Sequence, residues 1–286
     1  MLAALLVLVG LSALWYLVAL LRAAIPARAV PNPEAVLLGA VTNFFDTLGI
    51  GSFAPSTAWV KFRHLLPDRL IPSTLLVGHT GPSIMQGIIF LLLLGTAVDP
   101  VLLFGCIASL LTGALLGARL VTRARVWIVQ AFVALGLVIA ASIFMAINLH
   151  LMPGGGSAST LPLPLLLLAM AIHFTLGVLV NFGIGNYAPT LIMFSLMGME
   201  PRYAFPVMAG SAAIAGAGAS ISHIRIGEID LRFVTGIIIG GIPAVLVAAF
   251  IVKTMDVAML RWLVIGVVYY AAIVMARSAW AGFRQR

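Results

Sequence analysis

Charged residues and cysteines are scarce in this chain of 286 residues. Only 8% of the residues are charged and 63% are apolar, with a mean hydropathy of +1.18. A soluble domain carries about 25% charged residues, so the composition excludes an ordinary soluble fold. The single cysteine, Cys106, allows neither an intrachain disulfide nor a thiolate metal site. Because the apolar runs are long and continuous rather than alternating, we predict an all-α polytopic membrane protein in a lipid bilayer.

Sequence motifs of enzymes and of nucleic-acid-binding proteins are missing as well. The chain has no GxxxxGKS or GxxxxGKT loop, no HExxH, no paired cysteines and no GxSxG turn. Its net charge of +8 comes from short basic clusters between apolar runs, which is typical of cytoplasmic loops. We therefore expect no catalytic residues, no cofactor, no metal and no nucleic-acid partner.

One heptapeptide occurs twice. GIGSFAP spans Gly49 to Pro55 and GIGNYAP spans Gly183 to Pro189, an offset of 134 residues. The same offset relates PDRLIP at 67–72 to PRYAFP at 201–206. The chain is therefore a duplicated unit. The predicted organisation is an N-terminal transmembrane helix at 1–30, a first repeat at 34–150, a Gly/Ser-rich linker at 151–164 and a second repeat at 165–286.

The distribution of basic residues favours re-entrant segments. If all nine apolar stretches crossed the membrane, the two sides would receive 7 and 9 basic residues, but if the two broken stretches return, the split is 13 to 3. The second split follows the positive-inside rule. Each repeat then has one proline-broken, re-entrant hairpin and about three spans, so the second repeat is inverted. This places a multi-pass protein in the cell (inner) membrane, with the N-terminus outside and the C-terminus cytoplasmic.

The heptapeptides predict broken helices. Glycine tolerates positive φ, and proline is favoured in the first turn of a helix, so we expect second half-helices to begin after Pro55 and Pro189. Helix N-termini attract anions, and two opposed N-termini would form an anion site. The predicted substrate-binding residues are Gly49, Gly51, Ser52, Phe53, Ser56, Thr57, His79, Gly183, Gly185, Asn186, Tyr187 and Thr190. The alternative is a pair of glycine-rich packing contacts.

Two titratable residues are candidates for coupling to a proton or cation. Asp46 shares one helix face with Thr42 and Asn43, and a carboxylate at membrane depth is costly and usually functional. The alternative is that Asp46 caps a helix or pairs with a neighbour; its counterpart in the second repeat is Val180. His79 titrates near neutral pH, which suits coupling or an anion contact. His173 is predicted to be a hydrogen-bonded packing residue.

The first broken segment carries a family resemblance. Asn43-Phe44-Phe45-Asp46-Thr47-Leu48-Gly49-Ile50-Gly51 is similar to the early segment of the TauE/SafE sulfite exporter family, and the likeness in architecture covers about residues 34–280. The resemblance implies a membrane permease that exports small sulfur-containing anions, namely sulfite or organosulfonates such as sulfoacetate. It also implies that the two heptapeptides form the substrate region.

The residues and the resemblance together predict a secondary transporter. The small anion would be held at the opposed half-helix ends, and alternating access would be driven by a proton or cation gradient. A passive small-anion channel and a non-transporting membrane scaffold or assembly protein remain as alternatives. A homo-oligomer is compatible with the sequence, which carries no signal for the oligomeric state.

Overall fold

A computed structural model describes residues 2–49, 51–94, 97–117, 126–151, 156–180 and 186–284. These residues form α-helices joined by turns and short 3-10 helices, without a β-strand among them. The helices are α1 (Leu2–Ala24), α2 (Pro33–Thr47), α3 (Phe53–Phe62), α4 (Ile71–Leu94), α5 (Pro100–Gly117), α6 (Val126–Asn148), α7 (Leu163–Val180), α8 (Tyr187–Leu196), α9 (Ala204–Ile226), α10 (Leu231–Thr254) and α11 (Val257–Arg284).

Six helical segments in the described part of the chain are long and apolar enough to cross a membrane. They are Leu2–Ala24, Ile71–Leu94, Gln130–Asn148, Pro201–Ile226, Leu231–Thr254 and Ala258–Arg284. Large apolar side chains lie on the outside of these helices, as at Trp15, which is 59% exposed. The prediction of an all-α polytopic membrane protein is confirmed.

The sequence duplication is visible in the order of the helices. α3 and α8 each contain 10 residues, and they begin at Phe53 and Tyr187, which are 134 positions apart. A 3-10 helix follows each of them, at Asp68–Leu70 and at Pro201–Tyr203. By the same offset α2 corresponds to α7, α4 to α9, α5 to α10 and α6 to α11.

The helices form two compact units that each combine parts of both repeats. Unit 1 contains Met1–Leu93 and Ala209–Lys253, and unit 2 contains Leu94–Met208 and Thr254–Arg286. The first broken segment, α2 and α3, therefore belongs to unit 1 together with α10 from the second repeat. The second broken segment, α7 and α8, belongs to unit 2 together with α5 from the first repeat.

In unit 1, glycines let α10 lie directly against α2. A Cβ on Gly240 would overlap the carbonyl of Val36, and a Cβ on Gly39 would overlap the backbone of Ile237. Small residues at such contacts let membrane helices approach closely, so that van der Waals packing holds them together. Buried apolar side chains of α2, α10 and neighbouring segments form one hydrophobic cluster: Ala35, Leu38, Val60, Leu66, Ile71, Leu75, Phe233 and Ile237.

In unit 2, the corresponding helices make the same kind of contact. α7 packs against α5, and a Cβ on Gly113 of α5 would overlap the carbonyl of Phe174 on α7. A Cβ on Gly177 of α7 would overlap the carbonyl of Leu110 on α5. The first arm of each broken segment thus packs on the helix that the other repeat supplies at the equivalent position.

Each broken segment returns to the end from which it starts. In unit 1, Glu34 at the start of α2 accepts hydrogen bonds from Trp59 Nε1 at 3.2 Å and Arg63 Nε at 2.9 Å, near the end of α3. In unit 2, Ala158 precedes α7 and donates to Gly198 O at 3.2 Å, while Glu200 donates back to Ala158 O at 3.1 Å. Both segments are therefore hairpins with two arms.

The second arms begin three residues earlier than the sequence predicted, which was at residues 56 and 190. α3 starts at Phe53 and α8 at Tyr187, so Pro55 and Pro189 occupy the third helical position instead of preceding the helix. A first-turn residue needs no intrahelical N–H bond, and proline is tolerated throughout that turn for this reason.

We predict that Gly240→Ala destabilises the protein by about 1–3 kcal/mol, because the added methyl group has to push α2 and α10 apart. Thermal unfolding in detergent, followed by circular dichroism, measures the effect. Gly136→Ala on α6 is the matched control, since a Cβ there meets nothing within 4 Å. Equal stability of the two variants would contradict the close contact of α2 with α10.

Candidate functional site

The chain reverses between α2 and α3 with the help of two glycines. α2 ends at Thr47 and α3 begins at Phe53, and between them Gly49 has φ 100° and Gly51 has φ 87°. Residues with a side chain rarely adopt this left-handed backbone conformation, which glycine adopts without steric cost. Ser52, the residue before α3, follows the second of these glycines and is 5% exposed. This geometry places the polar groups of both arms next to α4.

His79 of α4 connects the two arms of the first hairpin. Its Nε2 lies 2.9 Å from Ser56 Oγ on α3, and its Nδ1 lies 3.0 Å from Asn43 Oδ1 on α2. Asn43 Nδ2 donates to Gly39 O at 2.7 Å, which directs Oδ1 toward the imidazole. Because Asn43 Oδ1 can only accept, Nδ1 is the donor, and in the neutral imidazole Nε2 then accepts the Ser56 hydroxyl. All three side chains are at most 2% exposed.

Gln86 makes the second polar connection between α4 and α2. Its Nε2 donates to Asp46 Oδ2 at 2.7 Å and to Thr47 Oγ1 at 3.0 Å. Ser52 also interacts with the Asp46 carboxyl, through its backbone amide and its hydroxyl. Asp46 is 4% exposed, and both of its partners, Gln86 and Ser52, are neutral. Since an ionised carboxylate without a cationic partner is expensive in lipid, this position suits a group that takes up a proton or a cation.

The second hairpin, in unit 2, presents an amide donor at the start of its second arm. Asn186 is the residue before α8, and its side chain makes no capping hydrogen bond. The side chain is 6% exposed, and Nδ2 has no hydrogen-bond partner within the described part of the chain. A helix N-terminus carries partial positive charge. The unpaired donor and the helix end together favour a negatively charged ligand.

A second histidine contacts this arm. His173 of α7 lies with Nδ1 2.9 Å from Ala169 O and with Nε2 3.4 Å from Thr190 Oγ1. Its ring stacks on Phe194 at a centroid distance of 5.5 Å. Ser56 and Thr190 are 134 positions apart, so both second arms carry a hydroxyl that meets a buried imidazole. The sequence pointed to packing for His173 and missed its contact with Thr190.

The other predicted site residues lie around these two clusters or outside the described residues. The Phe53 ring lies 5.9 Å from the His79 ring, and Thr57 is half-buried on α3. Tyr187 is buried in the first turn of α8. Gly183 and Gly185 lie outside the residues that the structure describes. The substrate-binding set as a whole stays a prediction.

The Ser56, His79 and Asn43 chain has the connectivity of a nucleophile, a base and an orienting residue. Ser56 is 0% exposed, so its hydroxyl is closed to any substrate in this conformation. Among the described residues, no group of three or more His, Cys, Asp or Glu side chains could hold a metal ion. In this conformation the three side chains form a buried chain of hydrogen bonds between α2, α3 and α4.

Comparison with known proteins adds no assignment: no family model, no curated protein and no solved structure matches this chain.

We predict that Gln86→Leu destabilises the protein by about 1–3 kcal/mol, because the buried Asp46 carboxyl loses a hydrogen-bond donor. Thermal or chemical unfolding in detergent provides the measurement. Gln130→Leu on α6 is the matched control, and we expect it to change stability by less than about 0.5 kcal/mol. An equal loss of stability in both variants would contradict a stabilising role for the hydrogen bond between Gln86 and Asp46.

Proposed function

We propose that this protein is a secondary transporter, acting as an exporter, of a small sulfur-containing anion such as sulfite or sulfoacetate. The observation that carries the proposal is the buried, unpaired Nδ2 of Asn186 at the N-terminus of α8. Protein groups buried in lipid normally find partners, and a donor without one marks the place of a ligand. The charge at the helix end selects an anion.

The two breaks differ in a way that suits coupled transport. At the first break, Asp46 supplies a buried carboxyl group next to Ser52, which can take up a proton or bind a cation. At the second break, the position equivalent to Asp46 is Val180, and Asn186 offers a donor. In the proposed mechanism the anion binds at Asn186, and a proton or cation binds at Asp46. His79 is the second coupling candidate, because it joins both arms of the first hairpin.

The substrate class comes from the TauE/SafE resemblance of the segment from Asn43 to Gly51. Sulfite and sulfonates present several acceptor oxygens around one sulfur, and these oxygens match an amide donor combined with backbone N–H groups. The anion itself is small enough to be held by one helix end and one side chain. The site at Asn186 and the resemblance both favour a negatively charged substrate.

Basic residues at one end of unit 1 support the proposed orientation in the membrane. Arg63 contacts Glu34, Arg69 contacts Glu228, and Arg232 donates to Val30 O, so several basic residues gather where the first hairpin begins and ends. Cytoplasmic loops are enriched in Lys and Arg. We therefore assign this end to the cytoplasmic face of the cell membrane.

A passive anion channel and a membrane scaffold are the competing functions. A channel would conduct the anion without accumulating it against a gradient. A scaffold would leave Asn186 without any ligand, and substitutions in the heptapeptides would change stability alone. The buried polar groups at both breaks favour the transporter, because packing alone does not require them.

We predict that sulfite or sulfoacetate raises the thermal stability of the purified protein in detergent, since a ligand that binds the folded state stabilises it by mass action. Taurine and sulfate at matched ionic strength test selectivity. Asn186→Ala should weaken the binding about 10–100-fold, the effect of losing one hydrogen bond to a charged group.

Asn148→Ala, which removes an amide from the end of α6, is the control for this experiment and should bind like the unmodified protein. If no sulfur-containing anion stabilises the protein, the substrate class is wrong. If Asn186→Ala binds as tightly as the unmodified protein, the anion binds elsewhere.

A further inference from the structure

A groove between the C-terminal ends of α1 and α9 has features that the transport proposal does not use. It has a volume of about 290 Å³ and is lined by Trp15, Val18, Arg22, Ile224 and Arg225, among other residues. Arg22 lies in the last turn of α1 and Arg225 in the last turn of α9. Both helix ends belong to unit 1. Two arginines from different helices therefore line one groove.

The groove has a positively charged part at the helix ends and an apolar part farther along α1. Trp15, Val18 and Arg22 are spaced three and four residues apart, so they form one stripe along α1. With a rise of 1.5 Å per residue, Arg22 lies about 10 Å along the helix axis from Trp15. The stripe is thus cationic at the C-terminal end of α1 and apolar toward the middle of the helix.

The charge at the top of the groove is not neutralised by the acidic residues of the same region. Glu228, near the end of α9, pairs with Arg69 at 3.7 Å, and Asp230 accepts the Phe233 N–H at 2.9 Å. Among the described side chains, no carboxylate lies within ion-pair distance of Arg22 or Arg225. Both arginines are exposed.

We propose that this groove binds one anionic phospholipid. The phosphate of the headgroup contacts Arg22 and Arg225, and an acyl chain follows the apolar stripe past Val18 to Trp15. Basic pockets between transmembrane helices at the cytoplasmic side are the sites that recognise such headgroups. Arginine suits this contact because its planar guanidinium donates two hydrogen bonds to one phosphate.

A free phosphate ion fits the groove less well than a lipid. It would use the guanidinium groups and leave Trp15, which is 59% exposed, without a partner. The lipid occupies both parts of the groove at once, with its headgroup at the two arginines and an acyl chain against Trp15. This site involves neither hairpin and so does not depend on the transported substrate; it rests on the membrane orientation proposed above.

Native mass spectrometry of the detergent-solubilised protein tests the proposal with phosphatidylglycerol, phosphatidylcholine and inorganic phosphate as probes. We expect one phosphatidylglycerol to bind in preference to phosphatidylcholine. Millimolar inorganic phosphate should not displace it. The double variant Arg22→Gln/Arg225→Gln should bind phosphatidylglycerol at least about 10-fold more weakly, because each arginine near the surface contributes substantially to anionic lipid binding.

Two further variants make the result specific. Arg277→Gln/Arg284→Gln removes the same charge from α11 and should bind phosphatidylglycerol like the unmodified protein. Arg22→Lys/Arg225→Lys keeps the charge and should retain most of the preference. Equal binding of both lipids, displacement by inorganic phosphate, or an equal loss in the α11 variant would overturn the proposal. Thermal unfolding of each variant checks that the fold is intact.

Discussion

Lipid cannot hydrogen-bond the polar groups of a broken helix, so these groups need partners from the protein or from a ligand. α4 supplies these partners for the first hairpin through His79 and Gln86, which contact Ser56, Asn43 and Asp46. The rest of unit 1 follows from this requirement. α4 has to lie beside both arms, and the glycines of α10 close the other side of α2 at backbone distance.

The duplicated breaks solve the same problem with different residues. Ser56 and Thr190 occupy equivalent positions and each meets an imidazole, but His79 comes from α4 and His173 from α7. The first break encloses a carboxylate, Asp46, among neutral partners. At the second break, the Asn186 amide donor has no partner among the residues that the structure describes. In the proposed transporter, this divergence separates the binding of a proton or cation at the first break from the binding of the anion at the second.

The sequence predicted the positions of the breaks but not their partners. The 134-residue offset located both second arms to within a few residues, because Gly and Pro dictate local backbone geometry. The contact of His173 with Thr190 could not be predicted by that offset, since the counterpart of His173 is Gly39. The packing of α2 on α10 was hidden as well. Helices that are apolar on all sides give no periodic signal for the face that meets a neighbour.

Uptake of radiolabelled sulfite and sulfoacetate into proteoliposomes, with and without an imposed pH gradient, is the most direct test of coupled anion transport. Protein-free liposomes control for passive leakage. If Asp46 takes up the coupling proton, one of these anions accumulates above its equilibrium level only when the gradient is present. Asp46→Asn then removes the accumulation but not the exchange of anion. Flux that only equilibrates the anion, with the same pH dependence in Asp46→Asn, would contradict this account.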